Sequence, residues 1–292
     1  VSASDNTGAP PRAYGVLLLV LATGLFANAV LGPLALRVLT YPVTETVTNQ
    51  LIGMELVTIL LVVPWTVWAA VGALRGSRLS PLLGFAPSAY AAYMLVQYVL
   101  GPEYAHYSVA VLAHLAGFVL AAALAWWSWH LSVHAVLPQR TAARDRLAGV
   151  LLLCVAAMVA LRYTGALAGS VTEASLPAEF MEERTFFWSI LLLDLGVVVP
   201  LTVASAIALL RGAAVGSRAL HAVVGWFALV PPSVAAMALV MVLKGDENAS
   251  LPTTLLLGVV SVALGAVAWR MFLAARHLPA SQPEADDLTT AA

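Results

Sequence analysis

Long apolar runs separated by short polar breaks dominate the chain. The runs fall at approximately 14–36, 51–74, 80–100, 105–136, 148–168, 186–210, 219–243 and 251–274. About 20 apolar residues cross the hydrocarbon core of a bilayer as a helix. The runs are continuous rather than alternating, and only helices or closed barrels satisfy a backbone in lipid. The pattern therefore predicts an all-α fold, a polytopic transmembrane helix bundle of eight helices. The ends, residues 1–13 and 277–292, read as disordered cytoplasmic tails. The first run, Ala13 to Leu36, is longer than the apolar core of a signal peptide and lacks a convincing small-residue cleavage site.

The basic residues give this pattern a direction. In an eight-span reading, Arg12, Arg75, Arg78, Arg140, Arg144, Arg146, Arg211, Arg218, Arg270 and Arg276 fall on one side, and Arg37, Arg184 and Lys244 on the other. The positive-inside rule then places both termini in the cytoplasm and the protein in the plasma membrane. The opposite side carries Glu45, Glu103, Glu173, Glu179, Glu182, Glu183, Asp246 and Glu247. Trp126, Trp127 and Trp129 lie near the inner end of the fourth run and read as part of an interfacial aromatic belt.

Composition agrees. The 292 residues are 61% hydrophobic and only 10% charged, with a mean hydropathy of +0.92. A soluble domain carries about 25% charged residues, so a soluble enzyme, a disordered chain and a disulfide scaffold are excluded. The net charge of −1 gives no reason to expect nucleic acid as a partner. The lone Cys154 sits in an apolar run and is expected to be a buried thiol.

The two halves repeat. Gly15-Val16-Leu17-Leu18-Leu19 returns as Gly149-Val150-Leu151-Leu152-Leu153, and Val62-Val63-Pro64 returns as Val198-Val199-Pro200. In the second register Leu74-Arg75-Gly76 matches Leu210-Arg211-Gly212, and nine of the fifteen positions from 62 to 76 are identical. Pro87-Ser88 corresponds to Pro232-Ser233. These matches predict a tandem duplication of a four-helix unit, residues 14–138 and 148–276, in parallel orientation. Pro64 and Pro200 are expected to kink equivalent helices, and a site is expected at the seam between the halves.

Leu193-Asp194-Leu195-Gly196-Val197-Val198-Val199-Pro200 resembles a motif of a functionally uncharacterised family of bacterial eight-span membrane proteins, written L-D-x-G-x-V-V-P. The likeness extends to the Arg-Gly turn that follows and to the aromatic third helix ending in Tyr98-Val99-Leu100-Gly101. Relatives often carry Tyr-Asn-Tyr on that helix, where this chain has Tyr93-Met94-Leu95. The resemblance implies an eight-helix membrane protein and supplies no activity.

Ionisable residues inside a span cost at least ~2.5–3.5 kcal/mol near its centre and mark a functional hypothesis. At about 1.5 Å per residue, Asp194 and His114 lie roughly 12 Å from the outer surface, Arg162 about 9 Å and Glu55 about 6 Å. Asn28, Gln97 and Tyr163 fall in the same outer halves. Arg162 and Asp194 are the expected ion pair, with Glu55 a competitor for the arginine and His114 a proton relay. In the duplication Asn28 aligns with Arg162 and Thr58 with Asp194, so the copies diverge where this charge appears, a pattern that suggests one asymmetric site rather than two equal ones. This set predicts an outward-facing intramembrane polar site that binds a small molecule or ion, for transport or sensing. A structural ion pair between helices is the plainer alternative. Two others are an intramembrane enzyme acting on a lipid or quinone, with His114 and the carboxylates as acid and base, and an assembly partner in a membrane complex.

No Walker motif, G-x-S-x-G, zincin motif or Cys-His constellation is present, so no catalytic residue, metal ligand or cofactor is assigned. His130 and His134 share a helix face, and His221 could join them, but they read first as interfacial residues. The expected partners are the lipid bilayer and a small-molecule or ion ligand.

Overall fold

The computed structural model describes residues 9–106, 108–172 and 181–277. Helices α1 (Arg12–Leu31), α2 (Glu45–Val57), α3 (Val63–Leu74), α4 (Ser80–Leu100) and α5 (Val109–Leu131) form the first half. Helices α6 (Ala142–Arg162), α7 (Thr164–Thr172), α8 (Arg184–Leu193), α9 (Val199–Leu210), α10 (Gly216–Phe227), α11 (Val230–Lys244) and α12 (Leu251–Arg276) form the second. Among the described residues there is no strand.

Among the described residues, seven helical stretches are long and apolar enough to cross a membrane: Arg12–Leu31, Glu45–Leu74, Val109–His134, Ala142–Gly169, Arg184–Leu210, Gly216–Lys244 and Leu251–Arg276. The outer surface they present is apolar, with Leu60, Leu161, Leu192, Leu256 and Val262 all more than 60% exposed. The chain is a multi-pass integral membrane protein whose helices contact the lipid bilayer. Helix α4 has 21 residues, enough to span, but is less apolar, and it lies inside the bundle. A helix walled by other helices need not match lipid. It can carry Ser80, Ser88, Tyr90, Gln97 and Tyr98 as buried polar side chains.

Local chemistry moves the helix ends from the hydropathy boundaries. Helix α1 stops at Leu31, because Gly32 and Pro33 follow and the next residues fold back into the bundle. Helix α2 begins at Glu45 rather than 51, because the Thr44 side chain accepts from Val47 N at 3.4 Å and caps it. Helix α6 begins at Ala142, capped likewise by Thr141.

Where kinks are expected, Pro64 and Pro200 are each preceded by a π-helical turn, Thr58–Val62 and Asp194–Val198. A proline inside a helix removes one N–H and crowds the carbonyl four residues back. Here the ladder widens by one residue just before each proline: Val63 N donates to Thr58 O, and Val199 N donates to Asp194 O. The two turns stand at the 136-residue spacing of the sequence matches.

Other contacts recur at that spacing or two residues less. Helix α1 packs on α3, and α6 packs on α9. A Cβ on Gly15 would meet Leu74 Cγ at 2.8 Å and Ala70 O at 3.1 Å, while one on Gly149 would meet Leu210 Cγ at 2.8 Å and Ala206 O at 3.1 Å. Gly76 and Gly212 turn the two corners with φ of +77° and +64°, a conformation that glycine adopts without strain. At the first corner Gly72 faces Ser80 Oγ too closely to admit a Cβ. At the second the glycine is Gly216, closed off by the backbone of Ala208 and Leu209 at 3.2 Å. Pro87 and Pro232 lie differently. Pro87 sits within α4, whereas Pro232 follows a break at Ala228–Leu229 and belongs to the first turn of α11.

Between the halves, α11 packs along α2 and α10 along α4. Gly53 makes the first contact possible, since any Cβ there would strike the backbone of Ala236 and Met237. Close approach at small residues is the usual means of helix association in lipid. Helix α4 is also tied to α11, where Tyr90, which is 2% exposed, shares a 2.5 Å hydrogen bond with Ser233 Oγ.

Candidate functional site

The expected polar residues divide into two clusters, and α4 reaches both. In the first, Glu55 on α2 is 1% exposed. Its Oε2 accepts from Leu34 N at 2.9 Å and its Oε1 from Tyr98 Oη at 3.2 Å. The segment after α1 is thus latched onto a buried carboxylate, and Gly32 lies so close to Oε1 that a side chain there would displace it. Tyr98 stacks on His114 with ring centroids 4.9 Å apart and a 17° interplanar angle. His114 Nε2 is 2.7 Å from Asn28 Oδ1 and 3.4 Å from Tyr41 Oη. With the amide oxygen accepting from Nε2, the neutral ring keeps its lone pair on Nδ1, which is buried and has no hydrogen-bond partner. Tyr41, in the loop, stays a neutral phenol: burial raises its pKa, with the Glu55 and Tyr104 charges adding to the shift.

The second cluster surrounds Asp194, the first residue of the second π turn, which is 8% exposed. Tyr93 Oη on α4 donates to Oδ1 at 2.8 Å, and Tyr163 Oη donates to Oδ2 at 2.5 Å. Tyr93 belongs to the first half and Tyr163 to the second, so Asp194 is held across the seam. Tyr93 also packs edge-on against Trp226, with centroids 5.7 Å apart.

The expected Arg162–Asp194 ion pair does not form. Among the described residues, opposite charges meet within 4.0 Å at Arg140 and Asp145. Arg162 is the last residue of α6 and is exposed, with its guanidinium carbon 5.5 Å from the centre of the Tyr163 ring. Successive helical residues point about 100° apart. Once Tyr163 faces inward, Arg162 faces out, and the tyrosines already occupy both oxygens of Asp194. Gln97 is 4% exposed on α4, next to Tyr98.

The acidic end of the bundle is tied together rather than left as a free charged surface. Glu183 Oε1 accepts from Thr44 N at 2.5 Å and Glu103 from Thr185 Oγ1 at 3.1 Å. Asp246 accepts from Thr46 Oγ1, Asn49 Nδ2 and Asn248 N at 3.0–3.2 Å. Glu173 and Glu179 lie outside the described residues.

Other expectations are placed as follows. Trp126 is 69% exposed, whereas Trp127 packs edge-on against Tyr14 and Trp129 against Phe85. His130 is exposed and bonded to Trp126 O, while His221 is 2% exposed and bonded to Ser217 O. Among the described residues no group of three His, Cys, Asp or Glu is placed to hold a metal ion. Cys154 is exposed on the outer face of α6, not buried, because Leu152 and Ala156 take the inward positions on either side.

Tyr41, Tyr93 and Tyr98 complete both clusters, and the sequence reading did not single them out. The available signal was a span rich in tyrosine: a buried phenol needs a hydrogen-bond partner, and a carboxylate in a neighbouring span can supply it.

Two cavities accompany these features without including them. One of about 380 Å³ is an apolar groove lined by Pro64, Trp65, Trp68, Pro232, Trp269 and Phe272. The other lies where the α5–α6 connection meets the α9–α10 turn. No protein-family model, curated protein or solved structure matches the chain.

Proposed function

We propose that this integral membrane protein binds an ion or small molecule at an outward-facing intramembrane polar site, and that Asp194, Glu55 and His114 couple that binding to a proton or cation for transport or sensing. One observation carries the reading. Asp194 is buried on a π turn, held only by tyrosine hydroxyls from both halves, with no cationic side chain within 4.0 Å among the described residues. A buried carboxylate without a countercharge is favoured either with a proton or with a bound cation. π turns inside α-helices occur frequently at functional sites. The unpartnered His114 Nδ1 offers a further acceptor in the first cluster.

The reading includes eight spans, with α4 as the one least exposed to lipid. It includes a parallel duplication, supported by the paired π turns and by the matching contacts of Gly15 and Gly149. It includes cytoplasmic termini in the cell membrane, supported by the ten arginines at one end. The family resemblance of the Leu193–Pro200 motif belongs with it as a proposal. The enzyme alternative, acting on lipid or quinone, gains no support from the apolar groove, because neither carboxylate nor His114 lines it.

Infrared difference spectroscopy of the purified protein in lipid nanodiscs tests the reading. A pH or sodium titration is expected to show a carboxyl band that appears with protonation and is missing in Asp194→Asn. The proposal fails if neither protons, sodium nor potassium changes the carboxyl region, and if the Asp194→Asn, Glu55→Gln double variant keeps the wild-type stability and cellular phenotype.

A further inference from the structure

At the basic end of the bundle a cavity of about 580 Å³ opens between the α5–α6 connection and the start of α10, lined among others by Gln139, Arg140, Asp145, Gly212, Ser217 and Arg218. We infer that this cavity binds a phosphate-bearing group, such as the headgroup of an anionic lipid.

Both arginines are already oriented. Arg140 Nε donates to Asp145 Oδ1 at 2.6 Å and its Nη2 to Arg144 O at 3.4 Å. A guanidinium has five N–H donors in a planar fork, so donors remain for a ligand after Asp145 is served. Arg218 stacks over Trp129, its Cζ 4.7 Å from the ring centre, and donates no hydrogen bond to a described residue. The ring holds the guanidinium from one side and leaves its N–H groups for an oxyanion.

Two neutral donors complete the lining. Ser217 Oγ is buried and has no hydrogen-bond partner. Helix α10 starts at Gly216 after Val215, which supplies no side-chain cap; Gly216 N is taken by Ala213 O, which leaves the Ser217 and Arg218 amides of the first turn for an anion. Asp145 is the one carboxylate in the lining, and its Oδ1 is engaged by Arg140. The lining therefore keeps a net positive charge.

The corresponding corner of the first half lacks this chemistry. At the 136-residue spacing Arg218 corresponds to Leu82, which is fully buried, and Ser217 to Pro81. The Ser217–Arg218 part of the lining is therefore not a product of the turn geometry that both corners share.

The test uses the full chain in detergent, so it does not depend on which end faces the cytoplasm or on the carboxylate site. Thermal stability is followed while dihexanoyl phosphatidylglycerol, dihexanoyl phosphatidylcholine or inorganic phosphate is titrated in. Saturable stabilisation by phosphatidylglycerol but not by phosphatidylcholine is expected. Arg218→Gln should weaken it about tenfold, the loss of a charge-assisted contact, and Ser217→Ala by less. Arg276→Gln, an exposed arginine outside the cavity, should leave it unchanged. Equal stabilisation by inorganic phosphate, lost in Arg218→Gln, supports the same site with a soluble phosphorylated ligand. If Arg218→Gln and Arg276→Gln have the same effect, or no probe stabilises the protein saturably, the proposal is overturned. Should Arg218→Gln not fold, Arg218→Lys keeps the charge without the fork and is expected to show the same weakening.

Discussion

Tyr163 and Tyr93 show how one side chain can decide the state of another. Each hydroxyl serves one oxygen of Asp194, and leaving a buried acceptor unsatisfied costs about 1–3 kcal/mol. Tyr163→Phe should therefore lower the unfolding free energy by about that amount while leaving Arg162 in place, as read by thermal or denaturant unfolding in a fixed detergent. Arg162→Leu should cost less, because it breaks no ion pair. At the loop end, burial pushes the Asp246 carboxyl up, but donation from Asn49, Asn248 and Thr46 together outweighs it and holds its pKa below the ordinary value. A depressed carboxylate contributes stability that is present above its unfolded value, near 4, and is lost as pH falls through the folded one. Acid unfolding curves of wild type and Asp246→Asn should thus differ at neutral pH and converge in acid. At this scale the sequence disclosed Glu55, Asp194, His114 and Asn28 as polar residues out of place. It did not disclose their partners. Hydropathy records that a charge is inside a span, while helix rotation, which turned Arg162 outward and Tyr163 inward, decides what it meets.

The helices themselves were legible because the apolar runs match the bilayer thickness. Their ends were less so, since the caps at Thr44 and Thr141 and the break at Gly32 act locally and do not change average hydropathy. The prolines signalled a distortion, but not its form. The widened π turn depends on the carbonyls in the preceding turn, which a composition window does not see. Packing between α2 and α11 rests on Gly53. Gly53→Ala should destabilise the protein by ~1–3 kcal/mol, since backbone rather than a flexible side-chain end must give way. Gly24→Ala, where nothing lies within 4 Å, is the matched control and should be neutral or slightly stabilising. Equal unfolding midpoints for the two variants would show that this contact is not tight in the membrane.

For the molecule as a whole, the charge asymmetry makes an orientation testable. In a Cys154→Ser background, a cysteine at Asn248 should react with a membrane-impermeant maleimide in intact cells. One at Arg144 should react only after the membrane is opened. The reverse pattern would invert the proposed topology. The two corners, one after α3 and one after α9, carry a further consequence. Each has a single glycine at the tight point, but on opposite sides of the gap: Gly72 faces Ser80 in one, and Gly216 faces Ala208 in the other. What the two corners share is the room between two backbones. Which strand of the contact yields that room is free to change, provided both positions change together. The likeness between the two corners therefore lies in the summed volume of facing pairs rather than in position-by-position identity, so a search for other bundles built this way should compare pair volumes across contacts.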